Sequence, residues 1–368
     1  MLDGATPRPN TTLGCLLSAA KLFAPAILTW VLWSYVLTVN NAWAAAFSSS
    51  WYMSIAMGPA SMIAGSTPCS AGVVIYPVTQ LLPLQPPPDS RDASILLQAV
   101  GLAAATYTIL LRKQELLHGC ADLLLIFNVV GVIGVCAGLI AAIERTAANV
   151  LFTGTVFAFG VAYFYSSEVM IWFAPPHTVL GRTEQAHEEG AEERLDDPAS
   201  VFLASAAAFC GGFLTATIGT GADIMLYAFG VFGWKRSSRA NSLGPAQLTA
   251  AAVVTMTLQS TLTCLGRALS VDGGFTRPTL LCWAVMVPVV VVGAPLGALC
   301  LSPSRAVLLR RLFFVLAAGQ FIGYVTFNTD FINSLAWRIV GGALILEMVA
   351  IMLHFHGVRI QYSQYVSH

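Results

Sequence analysis

The sequence predicts an all-α polytopic membrane protein with about 8–10 transmembrane segments in two repeats, each starting with a broken or re-entrant helix. Three observations support this fold class. Hydrophobic residues make up 57% of the 368 residues and charged residues only 10%, whereas soluble domains carry about 25% charged residues. Apolar runs long enough to cross a bilayer recur along the chain. Two of these runs are interrupted by glycine-rich stretches, one of which also contains proline, at 65–72 and 211–223.

The apolar runs form two groups on either side of an acidic stretch. The first group lies near 13–39, 54–82, 93–111, 119–143 and 149–173, and the second near 200–232, 243–265, 279–301, 307–327 and 334–354. We therefore expect an N-terminal anchoring helix (1–53), a first transmembrane repeat (54–174), an acidic polar linker (175–199), a second repeat (200–354) and a C-terminal tail (355–368). The first run exceeds the roughly 7–15 apolar residues of a signal-peptide core, which favours a retained helix over a cleaved leader.

The distribution of Lys and Arg favours broken segments that dip into the membrane and return. In that arrangement four loop arginines lie on one side of the membrane and the other loop Lys and Arg residues lie on the other side. The four are Arg91, Arg145, Arg267 and Arg277. An excess of Lys and Arg marks the cytoplasmic side. The two halves are then inverted repeats with both termini and the linker in the cytoplasm. Two broken but complete crossings are the alternative.

Both interruptions carry groups that suit a negatively charged ligand. Non-helical backbone at membrane depth must be shielded or line a cavity, and a matched pair of broken spans points to a transporter's binding site. We expect two half-helix starts to meet near mid-membrane, where backbone amides form a nest for an anion. The simpler alternative is that the glycines allow close helix packing. The candidate substrate-binding residues are Gly65, Ser66, Thr67, Pro68, Ser70, Gly72, Gln98, Thr217, Gly219, Thr220, Gly221 and Gln247.

Asp223 is the most informative single residue of the sequence. A carboxylate inside an apolar span is costly and therefore usually has a partner or a function. Two roles fit its position directly after the second interruption. It either carries a proton that is coupled to anion movement, or accepts hydrogen bonds from the neighbouring amides.

Other classes of function find little support in the composition. The net charge is zero and no basic tract occurs, so nucleic acid is not an expected partner. The eight cysteines form no CxxC pair, and no metal or cofactor is expected. Gly219 and Gly221 lack the third glycine of a dinucleotide fingerprint. An intramembrane aspartyl protease would need a second carboxylate that shares the site of Asp223, and no Tyr-Asp pair occurs in any apolar run. We therefore expect no enzyme.

Several motifs of the chain resemble the TauE/SafE family of sulfite and sulfonate exporters. They span about residues 55–325, and they are Ala64-Gly-Ser-Thr-Pro68, Gly72-Val-Val-Ile-Tyr-Pro77, Arg91–Gln98, Gly212-Phe-Leu-Thr215, Gly219-Thr-Gly-Ala-Asp223, Val292–Gly297 and Gln320–Gly323. The resemblance implies a transporter of roughly eight helices in two repeats that moves small sulfur-containing or organic anions out of the cytoplasm with proton coupling. The chain departs from the family at Cys69-Ser70-Ala71, where relatives carry an acidic residue followed by glycines. The coupling carboxylate of the first half is then missing, and Asp223 stands alone.

These observations lead to one leading hypothesis and two alternatives. The leading hypothesis is a secondary transporter in the plasma membrane that exports a sulfite- or sulfonate-like anion. A non-transporting membrane scaffold and a passive anion channel are the alternatives. The expected partners are membrane lipid and a small anionic substrate, and a homo-oligomer is compatible with the sequence.

Overall fold

Eight α-helices make up most of the described chain. The computed structural model describes residues 12–68, 72, 75, 78, 89–141, 153–154, 156–158, 160–161, 198–230, 243–270, 274–301, 314–315, 317–319 and 321–322. The helices are α1 (Thr12–Val39), α2 (Trp43–Ser66), α3 (Ser90–Arg112), α4 (Ala121–Ile140), α5 (Pro198–Ile218), α6 (Ala222–Ala228), α7 (Pro245–Ala268) and α8 (Arg277–Leu299), with a short 3-10 helix at Gln114–Leu117. Within these ranges there is no strand.

The predicted class of polytopic all-α membrane protein is confirmed. Six of the described helices, all except α2 and α6, are long and apolar enough to cross a membrane. Large apolar side chains on their outer faces are exposed, as a lipid-facing surface requires; on α4 these include Leu125, Val129 and Ile133. Most of the predicted runs near 149–173 and 307–327 lie outside the described residues, as do the run near 334–354, almost all of the linker and the C-terminal tail.

The helix α2 starts earlier than the apolar run near 54–82 suggested. Asn41 adopts a left-handed conformation with φ of 47°, and the chain turns there between α1 and α2. The alanines that follow Trp43 favour helix, so α2 begins at Trp43, and the predicted boundary at residue 53 falls inside it. At its other end α2 stops at Ser66, because Thr67 precedes Pro68 and is extended, with φ −131° and ψ 157°.

Contacts between helices fix their relative directions. We call the upper face the end where α3 and α8 begin, which the bond from Asp89 N to Thr279 Oγ1 (2.9 Å) brings together. Arg267 near the end of α7 pairs with Asp92 in the first turn of α3, so α7 ends at the upper face. The opposite end, where α3 ends and α4 begins, is the lower face. The helices α2, α3 and α8 run from upper to lower, and α1, α4, α5 and α7 from lower to upper.

Glycines bring two pairs of parallel helices into backbone contact. A Cβ atom at Gly134 would overlap the Phe209 carbonyl, which places α4 against α5. A Cβ atom at Gly65 would overlap the Ala294 carbonyl, which places α2 against α8. Small residues at such positions allow close approach of membrane helices, where packing and not hydrophobicity drives association. At Gly65, the packing alternative considered for the glycine-rich stretches therefore holds.

The helix α1 docks on α8 at a proline. Pro288 has no N–H group, so the carbonyl of Ala284, four residues earlier, lacks its helical donor. Trp33 Nε1 donates to that carbonyl oxygen at 2.7 Å, and Trp30 Nε1 donates to the Pro288 oxygen at 2.9 Å. The two indoles thus join α1 to α8 where α8 has a free backbone acceptor.

Replacing Trp33 with phenylalanine should lower the stability of the protein by about 1–3 kcal/mol, because the Ala284 carbonyl is left without a donor in an apolar setting. The unfolding midpoint in detergent measures the effect. Trp51→Phe is the control, because Trp51 is 55% exposed and its ring contacts Tyr52. Equal losses in the two variants would show that the indole hydrogen bond contributes nothing.

Candidate functional site

The second glycine-rich interruption breaks the helix between α5 and α6. Gly219 has φ +87° and Gly221 has φ +149°, conformations that only glycine adopts without strain. The turn is closed from within by Thr215, whose carbonyl accepts from Gly219 N at 3.1 Å. The Thr215 hydroxyl accepts from Ala222 N, also at 3.1 Å. The helix therefore ends and restarts at the residues that the sequence indicated.

The carboxylate of Asp223 accepts hydrogen bonds from the backbone amides of this break. Its side chain is buried, with 3% of the residue exposed. Its Oδ1 accepts hydrogen bonds from Thr220 Oγ1 at 3.2 Å, from Gly221 N at 3.2 Å and from Ile224 N at 2.9 Å. An internal anion thus sits where a nest for a substrate anion was predicted. This is the geometry of the second predicted role, an acceptor of the neighbouring amides.

Gln98 joins the break to two further helices. Its side chain is 1% exposed, and its Nε2 donates to Gly219 O at 2.9 Å and to Ser94 Oγ at 2.8 Å. Ser260 Oγ on α7 donates to Gln98 Oε1 at 3.0 Å. The amide of Gln98 is therefore fully engaged, and it ties α3, α7 and the break into one polar network.

Gln247 lies at the other end of α7. Its Oε1 accepts from Gly244 N at 2.8 Å, and its Nε2 donates to the His118 carbonyl at 3.2 Å. Both contacts belong to the lower face. The structure thus separates the two candidate residues: Gln98 contacts Ser260, which lies 13 residues beyond Gln247 on α7, or roughly 20 Å away.

Four charged side chains close around the upper end of the break. Arg267 Nη1 lies 2.9 Å from Asp92 Oδ1, and Arg91 Nε lies 3.3 Å from the same oxygen. Arg91 also approaches Asp89 Oδ2 at 3.7 Å. Both guanidinium groups donate to carbonyls in the last turn of α5, Arg267 to Ala216 (2.9 Å) and Arg91 to Thr217 (3.4 Å). We call Asp89, Arg91, Asp92 and Arg267 the upper ion cluster.

The upper ion cluster suits the end of a helix. The last carbonyls of α5 have no intrahelical donors, and the C-terminal end of a helix carries partial negative charge, so cations stabilise it. Asp89 in turn caps α3 by accepting from Arg91 N at 3.0 Å and Asp92 N at 3.3 Å. The cluster therefore joins α3, α5 and α7 directly beside Gly219.

The predicted residues of the first interruption lie at the lower end of α2. Ser66 and Thr67 are buried, and their hydroxyls donate back to helix carbonyls, Ser66 to Met62 at 2.7 Å and Thr67 to Ile63 at 2.8 Å. In the second half, Thr217 does the same toward Phe213 at 2.8 Å. Pro68 and Gly72 are buried, and Ser70 lies outside the described residues.

The described ends of the two breaks lie at different depths. Gly219 bonds to Gln98, eight residues into α3, which is roughly 12 Å from the upper end. The last turn of α2 packs on Ala294 of α8, 17 residues from its upper end, or roughly 26 Å. These two described ends thus lie toward opposite faces. The expected meeting of the two half-helix starts near mid-membrane stays a prediction, because most of the chain after Pro68 in the first break lies outside the described residues.

Sequence reasoning missed Asp92, Arg267 and Ser260 as neighbours of the break. A signal was present for the first two, because each is a charged residue near the end of an apolar run, where such residues usually have a partner. Their pairing joins positions far apart in sequence, which no local pattern reveals. Within the described ranges no three His, Cys, Asp or Glu side chains come together to hold a metal.

Comparison with known proteins places the chain in one family. No curated protein and no solved structure matches it. The profile of the family described as Sulfite exporter TauE/SafE matches residues 52–324, nearly the same range as the motifs quoted above. The match covers well over half of the 368 residues and includes the described helices α3 to α8 and residues 52–66 of α2. The chain therefore belongs to the TauE/SafE family of sulfite exporters.

Proposed function

We propose that the protein is a secondary transporter that exports a small sulfur-containing or organic anion, such as a sulfite or a sulfonate, and couples this to proton movement. The observation that carries the proposal is the helix break at Gly219–Gly221. There the buried carboxylate of Asp223 accepts hydrogen bonds from backbone amides that would otherwise be free to bind an oxyanion. Membership of the family supports transport of such anions.

Competition between Asp223 and a substrate anion supplies the coupling. The amides of Gly221 and Ile224 point at one carboxylate oxygen, and a second anion cannot share them because like charges in a buried site repel strongly. A proton on Asp223 removes its charge and weakens its hold on the amides. An oxyanion can then take them, so protonation and anion binding at the break are linked.

The helix directions support alternating access. The helices α2, α3 and α4 run down, down and up, whereas α5, α7 and α8 run up, up and down. Corresponding helices of two halves with opposite directions are expected for inverted repeats, which expose a central site to either side of the membrane in turn. In this proposal the upper ion cluster closes the upper face, since its ion pairs join α3 to α7 above the break.

We further propose that the protein resides in the plasma membrane. Its exposed apolar side chains suit contact with lipid, among them Leu28, Val31 and Ile133. A homo-oligomer stays a prediction from the sequence. A scaffold or a passive channel would use Asp223 only as an acceptor of the amides at the break, and neither would need it to bind a proton.

Asp223→Asn is the experiment that tests the function. In liposomes that contain the purified protein, sulfite flux should follow a pH gradient in the wild type. It should lose that dependence in the variant, because asparagine accepts hydrogen bonds but takes up no proton. Asp122→Asn is the matched control, since Asp122 lies in the first turn of α4 at the lower face.

Three results would count against the proposal. A wild-type protein that moves no sulfite, sulfonate or thiosulfate across a pH gradient would point to a scaffold. Flux that never drives accumulation against a gradient would point to a channel. Unchanged pH dependence in Asp223→Asn would remove Asp223 from the coupling step.

A further inference from the structure

Three buried side-chain oxygens on α4 and α7 have no hydrogen-bond partner in the described part of the chain. They are Asn128 Oδ1, Thr255 Oγ1 and Gln259 Oε1. Thr255 and Gln259 are 0% exposed. An unpaired polar group in the hydrocarbon region costs several kcal/mol, so three such oxygens in one region call for an explanation.

Gln259 joins α7 to α4 beside Asn128. Its Nε2 donates at 3.0 Å to the carbonyl of Phe127, the residue before Asn128, which leaves the Oε1 of Gln259 as a free acceptor. Thr255 precedes Gln259 by four residues and so lies on the same side of α7. Further along, Gly266 packs on Leu139, so α4 and α7 run in parallel with Gln259 at the contact between them.

Thr255 differs from the other threonines of α7. Thr249, Thr257, Thr261 and Thr263 each donate a hydroxyl hydrogen bond to the carbonyl four residues earlier, at 2.7–2.8 Å. This back-bonding is the usual way to satisfy a hydroxyl in a membrane helix. The hydroxyl of Thr255 makes no such bond. Its oxygen is therefore free to serve a ligand between the helices.

We propose that Asn128, Thr255 and Gln259 bind a monovalent cation, with sodium as the ion. The free groups include two amide oxygens and one hydroxyl, ligands that hard cations prefer. None of the three side chains is a carboxylate, which disfavours a divalent cation. Neutral oxygens are how membrane proteins hold permeant or coupling ions in the bilayer.

The role of this cation rests on the proposed function, but its binding does not. A positive charge held on α7 would offset the charge of an anion bound at the break. Met256, the residue after Thr255, accepts from the Thr215 hydroxyl at 3.7 Å, and Thr215 closes the break. Thr255 is thus one residue from a contact between α7 and the break.

Thermal unfolding of the purified full-length protein in detergent tests the site. NaCl is increased at constant ionic strength by replacing choline chloride. The wild-type midpoint should rise and saturate, because a ligand that binds only the folded state stabilises it by mass action. Thr255→Val should abolish the sodium-dependent rise, and Thr255→Ser, which keeps the oxygen, should retain it.

Thr257→Val is the matched control on the same helix. The Thr257 hydroxyl bonds to Val253 O and to Thr106 Oγ1, both at 2.8 Å, so this variant should keep the sodium-dependent rise. A wild type that shows no difference between sodium and choline overturns the proposal. The proposal is also overturned if the Thr255→Val midpoint lies above the wild-type midpoint by the same amount in sodium and in choline. The wild-type hydroxyl would then be unpaired and without a ligand. Anion flux without a sodium effect on the midpoint would overturn the cation site alone, and a sodium effect without flux would overturn the transport function alone.

Discussion

Replacing Arg267 with glutamine is expected to destabilise the protein by about 3 kcal/mol and to loosen its upper face. Removing one partner of a buried ion pair costs about 3–5 kcal/mol where the other charge is left buried and unpaired. Here Asp92 is 6% exposed but keeps Arg91 Nε at 3.3 Å, and the Arg267 side chain is 20% exposed, so we expect the lower end of that range. The variant also removes the donor to the Ala216 carbonyl at the end of α5.

Two measurements separate the loss of stability from the opening of the face. The unfolding midpoint reports stability. Labelling of Cys264 by a membrane-impermeant thiol reagent reports opening, in a protein in which the other cysteines are replaced, because Cys264 is partly buried one turn before Arg267. Labelling should be faster in Arg267→Gln. Asp92→Asn combined with Arg267→Gln should recover most of the stability, because neither charge is left alone.

Arg277→Gln provides the matched control for this prediction. Arg277 begins α8 at the same face and is exposed, so its loss should change the unfolding midpoint by less than about 0.5 kcal/mol. If Arg267→Gln behaves like Arg277→Gln in both measurements, the upper ion cluster is not the closure of this face.

The positions of both breaks could be predicted because local chemistry decides them. Proline at position 68 disfavours helix at the preceding threonine, and α2 ends where this rule places the end. Glycines 219 and 221 permit backbone conformations that end one helix and start the next. The start of α2 was missed because the serines at 48–50 delay the apolar run to about residue 54. A local sign of the earlier start was the Asn40-Asn41 pair, since asparagine tolerates the left-handed region.

The contents of the site could be predicted only in part, because its partners come from distant helices. The sequence singled out Gln98 and Gln247 as candidate binding residues, but it did not single out Ser260, which donates to Gln98 Oε1. The choice depends on how far α3 and α7 are shifted along each other, which periodicity does not report. The same reason hides Arg267 beside Asp92, 175 positions apart. The sequence identified both the amides at the break and Asp223. It left open whether these amides bind a substrate anion or the carboxylate of Asp223, because that depends on distances in the folded chain.

Substituting Gly221 with alanine is expected to have an effect as large as the loss of Arg267. The φ of +149° costs about 1–3 kcal/mol for a residue with a side chain. A Cβ atom there would also lie 2.5 Å from Leu214 Cβ and 3.1 Å from the Gly211 carbonyl oxygen. These distances are too short, so the end of α5 or the turn would have to move. The turn would shift, and Gly221 N would no longer donate to Asp223 Oδ1.

The consequence for transport follows from that lost hydrogen bond. With fewer amides directed at it, the carboxylate of Asp223 is held less strongly, so both the unfolding midpoint and the pH dependence of sulfite flux should change. Gly58→Ala is the matched control, because no atom lies within 4 Å of a Cβ atom at Gly58. In the interior of α2 that substitution should raise stability by about 0.5–1 kcal/mol. If Gly221→Ala proves as stable as Gly58→Ala, the break does not depend on glycine geometry, and the link between the turn at 219–221 and the protonation of Asp223 is lost with it.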